Sequence, residues 1–127
     1  MAAGRYNLII EQGSTYNLEL QYKSSAGYAL DLTGYHGCMH IRPEVGSSTI
    51  YLALSSSLQP DGTGLNFSGS TGTKDPSSGS IAIYISAATS SQLTFDEAVY
   101  DLEIYSGSYV ARIIAGRVRL SKEITIC

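Results

Sequence analysis

Tryptophan is absent from this 127-residue chain, and phenylalanine, cysteine and histidine occur only twice each. Each shortage removes a class of function. Without an indole there is no broad aromatic platform for a sugar ring, which weighs against a carbohydrate-binding module. His36 and His40 lie on one strand face, and at the extended rise they stand roughly 13 Å apart. A single zinc holds its ligands at about 2 Å, so the two cannot share a metal unless the strand bends sharply, and Cys38 between them completes a ligand set only on paper. No serine has a histidine in an elbow or triad pattern. The cysteines, Cys38 and Cys127, form no disulfide framework; both read as free thiols, Cys38 as a small residue in or beside the core. No run of about 18 apolar residues is present, which excludes a transmembrane helix. Met1 to Arg5 lacks the apolar centre of a signal peptide, so synthesis and retention in the cytosol are expected. Positive charge is scarce too. Eight Lys and Arg against eleven Asp and Glu leave a net charge of −3, which argues against nucleic acid.

What remains is a chain rich in glycine, serine and tyrosine with 43% hydrophobic residues, a composition suited to many strands and turns. Period-two alternation dominates. Tyr6, Leu8 and Ile10 alternate on a first strand. Tyr16, Leu18, Leu20 and Tyr22 form a half-buried second, closed by a hairpin-type loop over Ser24 to Gly27. Tyr35, Gly37, Met39 and Ile41 alternate as far as Pro43, and Ile50, Leu52 and Leu54 follow. Residues 55–80 are mostly Ser, Gly, Thr, Asp and Pro, with Leu65-Asn66-Phe67 the one short strand expected in a mobile, loop-rich stretch. Ile81, Ile83 and Ile85 mark a core strand. Ser86 is a plausible N-cap for a short helix over 87–93. Tyr100, Leu102 and Ile104 share one face of the next strand, and a last long strand runs from Tyr109 to about Leu120. In it both parities carry apolar residues, and Gly116 marks a bulge or a close backbone approach. The pattern predicts an all-β, immunoglobulin-like antiparallel sandwich of about seven to nine strands, a single domain over 1–127.

The segment Asp96-Glu97-Ala98-Val99-Tyr100-Asp101-Leu102 sharpens this. Strand, helical turn, then Asp-x-x-x-Tyr opening another strand is the layout of a tyrosine corner, in which the hydroxyl bonds backbone a few residues upstream. Tyr100 and Asp96 are the expected structural corner, with Asp96 capping or tying the turn. Leu102 stands where antibody domains carry a cysteine.

Candidate chemistry is otherwise thin. Asp96, Glu97, Asp101 and Glu103 are acidic neighbours without the opposed pair and cleft a glycosidase needs. Asp61 and Asp75 lie in loops without calcium-loop spacing. No catalytic, metal or cofactor residue emerges, and no small-molecule substrate is expected. Contact surfaces are better represented. Arg117 and Arg119 share a strand face near Arg112 and Lys122, either as a solvated face or as a docking stripe for an acidic partner. Among ten tyrosines, Tyr51, Tyr84, Tyr105 and Tyr109 are out of phase with their strands or flank a turn, which suits an interface as well as a sandwich rim. Ile124 and Ile126 alternate in a tail, 121–127, expected to pair with another chain.

Several pieces occur in a telling order: Ile10-Glu11-Gln12-Gly13-Ser14-Thr15-Tyr16, Asp31-Leu32-Thr33-Gly34-Tyr35, Met39-His40-Ile41-Arg42-Pro43, Ile85-Ser86-Ala87-Ala88-Thr89, Val99-Tyr100-Asp101-Leu102-Glu103-Ile104 and Ala115-Gly116-Arg117-Val118. Together they resemble a family of small β-sandwich virion proteins of tailed bacteriophages, over nearly the whole chain outside 55–80. The resemblance implies a structural protein of the particle, made in the bacterial host cytoplasm, with no catalytic residues. Its partners would be other copies of itself and other virion proteins of the tail, baseplate or fibre attachment; a capsid decoration protein is the alternative. One departure falls in the tail, where Ser121-Lys122-Glu123 lacks the proline that more often precedes the glutamate.

Overall fold

Alternating residues pair into nine strands in the computed structural model, which describes residues 4–23, 27–69 and 72–125. In chain order they are β1 (Gly4–Arg5), β2 (Leu8–Glu11), β3 (Tyr16–Gln21), β4 (His36–Arg42), β5 (Leu52–Ser55), β6 (Gly64–Asn66), β7 (Ser80–Ile85), β8 (Glu97–Ser106) and β9 (Tyr109–Ser121), with the helix α1 (Ala87–Ser91) between β7 and β8. The larger sheet runs β1-β9-β8-β4-β5, with β2 also on β9; the smaller runs β3-β7-β6. The inward residues of both sheets form one core. Ile10, Ile41, Ile81, Ile83, Ile85, Leu102 and Val118 are fully buried, and each such side chain contributes about 1.5–3 kcal/mol relative to exposure. The fold is an all-β, immunoglobulin-like sandwich, and Leu102 fills the bridging-cysteine position with plain apolar volume.

The N-terminal strand departs from the antiparallel rule: β1 and β2 both pair parallel with β9, Arg5 opposite Ala115 and Leu8 opposite Val118. The two keep one register and are interrupted only at Tyr6 and Asn7. The double parity of β9 has a local cause. Glu103 faces Arg112 while Leu102 faces Ile114, so Ile113 is an extra residue and the phase inverts there. Val110 consequently stands on the outer face, 56% exposed, and is not in line with Ile114 and Val118. The β8–β9 hairpin closes through Gly107 at φ 59°, a value that the first position of a two-residue II′ turn requires.

Ser86 caps α1 as its residue type suggests, its hydroxyl accepting from Thr89 N–H. The helix ends at Ser91, short of Leu93, which instead closes a tighter turn onto the Ser90 carbonyl. The stretch 55–80 holds more structure than its composition suggests, and its strand starts at Gly64 and stops before Phe67. Thr63, Gly64 and Leu65 are buried. Gly62 lies against the Tyr84 ring, and Lys74 bonds the Glu19 carboxylate at 2.6 Å. Tyr84 and Glu19 both point away from the core, so this segment folds over the outer face of the smaller sheet. Ser80 and Ala82 are covered in consequence. Among the described residues, no such segment covers the outer face of the larger sheet.

Asp61 anchors that segment to α1. Its carboxylate accepts from Ser86 Oγ at 2.6 Å and from Thr63 N–H at 2.9 Å, and Thr63 Oγ1 in turn accepts from Ser86 N–H. These bonds, the Ser86 hydroxyl foremost, hold the carboxyl down at about 2, below its ordinary 3.8. A depressed carboxyl adds stability above its unfolded value, and that stability is lost as pH falls through the folded value. The Thr63 and Ser86 amide signals are therefore expected to titrate together with a midpoint near 2, and Asp61→Asn to abolish the transition; a midpoint at the ordinary value would show the bonds are not kept in solution.

Candidate protein interface

The corner is tied differently from the expectation. Tyr100 Oη donates to the carbonyl of Tyr6 at 2.6 Å, a group 94 residues away at the break between β1 and β2, and not to backbone a few residues upstream. Tyr100 lies directly opposite Gly116, so its ring covers the glycine and its hydroxyl reaches across β9. The Tyr6 carbonyl sits where a Gly116 Cβ would be. Asn7 Oδ1 accepts from Arg117 N–H at 3.0 Å, in place of the displaced backbone partner. Asp96 does not tie the turn. Its side chain is 91% exposed and faces Lys122 at 3.5 Å, because the corner's backbone is already satisfied by other groups. Gln12 Nε2 donates to Leu93 O at 2.7 Å, and Gln12 Oε1 accepts from Glu123 N–H. The buried Ser90 hydroxyl accepts from Gly13 N–H and donates to Ser14 O.

Burial raises the hydroxyl of Tyr100 well above the ordinary tyrosine value, with Tyr16 and Tyr6 adding to it. Tyr16 is pushed up to about 12 by burial and by Tyr6. Below the ordinary value of 10.0 both states keep their protons; above it the unfolded chain ionises first. The contribution of the two tyrosines should thus be flat up to that point and fall steeply beyond it, with Tyr100→Phe softening the fall. A chemical-denaturation series between pH 8 and about 11.5 measures this, and a flat profile would overturn the assignment.

The tyrosines singled out for an interface do not form one patch. Tyr105 and Tyr109 flank the same turn but diverge. Tyr105 lies on the outer face beside His36, ring centroids 5.5 Å apart. Tyr109 meets Tyr35 edge-on at 6.2 Å and closes the end of the sandwich together with Tyr22. Tyr51 stacks on Phe95 at 4.8 Å near the opposite end. Tyr84 is half-buried on the covered sheet face. Tyr35, Tyr51 and Tyr109 thus pack their rings at the two ends of the core. The tail is likewise engaged at its start: Ser121 belongs to β9, Lys122 Nζ donates to Thr94 O, and Glu123 N–H is held by Gln12. Residues 122–125 form no strand, and Ile124 is 98% exposed. Ile126 and Cys127 lie outside the described residues.

The uncovered face of the larger sheet carries a groove of about 900 Å³. Its floor is Val99, Ala115 and Gly116; one wall is the loop Glu44 to Ser47 and the other is Arg5 with Arg117. Arg42 builds the first wall, its Nη1 donating to Ser47 O and its Nη2 to His40 Nδ1 at 3.1 Å. His40 is then the Nε2–H tautomer and faces Cys38 Sγ at 3.5 Å. The Cys38 thiol is pushed up by burial and by Glu103 and Asp101, which keeps it protonated and a poor nucleophile. Arg112 pairs with Asp101 at 3.2 Å. Among the described residues, Arg5 and Arg117 make no ion pair, and no group of three or more His, Cys, Asp and Glu could hold a metal. No helix of the described residues is long and apolar enough to cross a membrane.

Of the expected stripe, Arg117 alone lines the groove with a free guanidinium. Arg119 lies one row beyond, opposite Glu97. Sequence reasoning missed Arg5 and Val45. Arg5 reaches the site only through the parallel pairing of β1 with β9, a contact with no local signal. The sequence matches no protein-family profile, and no curated protein aligns with it significantly.

Proposed function

We propose that this chain is a non-enzymatic structural protein of a tailed-bacteriophage virion, assembled by protein–protein contacts as a tail, baseplate or fibre-attachment component. The observation that carries the reading is the uncovered face of the larger sheet, where Cys38, His40, Arg42, Asp101 and Arg112 are engaged with neighbours around a preformed groove, while the Arg5 and Arg117 guanidiniums and the Glu44 and Glu103 carboxylates make no ion pair among the described residues. Such a surface offers contact and charge but no poised nucleophile and base. The ordered resemblance to phage sandwich proteins supplies the setting. The exposed Ile124 supports a second contact through the end of the chain, since a lone fully exposed isoleucine gains most by covering. Mass spectrometry of purified particles, fractionated into heads and tails, tests the reading. The protein should be found in tail fractions and should be lost from them when 124–127 are deleted. Recovery with heads would favour capsid decoration, and absence from particles would reject both.

A further inference from the structure

The geometry points to a specific occupant for the groove: an extended, carboxylate-bearing segment of another protein chain, lying along β9 between Arg5 and Arg117 on one side and Val45 on the other. This deepens the assembly reading above and rests on it.

Charge selects the ligand. Four guanidinium groups line the groove, from Arg5, Arg42, Arg112 and Arg117, against the three carboxylates of Glu44, Asp101 and Glu103. The chain as a whole carries −3, so the groove is a positive site on a negative molecule. Two of the guanidiniums are spent, Arg42 on the loop and Arg112 on Asp101. Arg5 and Arg117 stand on adjacent, in-register strands, Arg5 opposite Ala115 and Arg117 two residues on. Both line the same side of the groove, where their charges act on one carboxylate. A polyphosphate backbone needs a run of unpaired cations and the groove offers two, so nucleic acid is disfavoured.

Shape selects an extended segment. The floor residues are small or flat-lying, and Gly116 presents only backbone. Val45 is 92% exposed on the opposite wall, so an apolar side chain next to the carboxylate gains cover. The wall is held by Arg42 before anything binds, which lowers the ordering cost of docking.

Two capped hexapeptides alternating Glu with Leu or Gln with Leu, titrated into the isotope-labelled full chain, provide the test. At low salt the Glu peptide should shift the amides of Arg5, Val45 and Arg117, bind at least tenfold tighter than the Gln peptide, and weaken as salt is raised. Arg5→Glu with Arg117→Glu should abolish those shifts while leaving the remaining spectrum folded, and Arg117→Gln should give an intermediate loss. Equal binding of both peptides, shifts confined to other surfaces, or comparable binding of a single-stranded DNA oligomer would each overturn the inference. Particle composition separates this from the broader reading: the double variant incorporated as well as the unaltered protein rejects the groove alone, while absence of the unaltered protein from particles rejects the virion role itself.

Discussion

Gly116→Ala is expected to destabilise the protein by about 2–5 kcal/mol, combining overpacking with the loss of a buried hydrogen bond. The added methyl would occupy the position of the Tyr6 carbonyl. That atom is backbone, held by the Tyr100 hydroxyl, and cannot step aside like the end of a flexible side chain. Making room means lifting β1 and the start of β2 off β9, which strands the Tyr6 carbonyl and the Tyr100 hydroxyl. Tyr100→Phe removes one bond without adding volume and should cost only about 1–2 kcal/mol. Gly4→Ala provides the control, because its methyl meets only Ile113 O at an ordinary 3.6 Å. Urea unfolding ranks the three, and amide exchange should rise first at Leu8 to Glu11 in Gly116→Ala. Unchanged stability of that variant would mean that the Tyr6 carbonyl does not sit over Gly116.

Ile83→Ala is expected to cost about 2–5 kcal/mol, and Ile83→Val about 1 kcal/mol. Ile83 is fully buried in β7, the middle strand of the smaller sheet, with Leu18 opposite it on one side and Leu65 on the other. A sheet of three strands has no further layer to shift into a void, and the ladder bonds on both sides resist collapse. Calorimetry reads the cost, and exchange at β3 and β6 should rise together because both strands pair with β7. Ile9→Ala removes volume from a side chain that is 60% exposed and should be close to neutral. A loss as small as that at Ile83 would show that the smaller sheet is loosely packed.

Much of the architecture is legible from local rules. Alternation located β3, β4 and β7 within a residue or two and the middle of β8, and Ser86 marked the start of α1, because side-chain period and capping are properties of a few adjacent residues. The misplacements share a cause. The partner of Tyr100 lies 94 residues away, and the inversion in β9 depends on an extra residue judged against its neighbour strand. Asp96 looked like the tie of the corner because a short acid next to a turn satisfies backbone groups in general; here Gln12, from outside the corner, holds the Leu93 carbonyl, and Ser90 of α1 ties the corner to Gly13 and Ser14. Residues 55–80 looked loop-like because their composition is polar. Leu65 is nevertheless buried because β6 pairs with β7, a partner that composition does not encode.

The candidate site shows the same division. Arg117 and Arg119 could be placed on one strand face by their spacing, and Tyr51, Tyr84, Tyr105 and Tyr109 could be marked as exceptions to their strands. Spacing along a strand cannot say which rows are covered. The parallel return of the chain's first strand to its last brought Arg5 beside Arg117, and the bulge at Ile113 set Arg112 against Asp101.

From its order of residues alone, this chain is committed to alternating strands, turns at its glycines and a two-layer apolar core, because those features arise between neighbours in sequence. Which outer face stays open, where the Tyr100 hydroxyl ends and which arginines remain unpaired were decided only on folding. Each depends on strands far apart in sequence meeting in a particular register, and the energy that selects the register belongs to the packed whole.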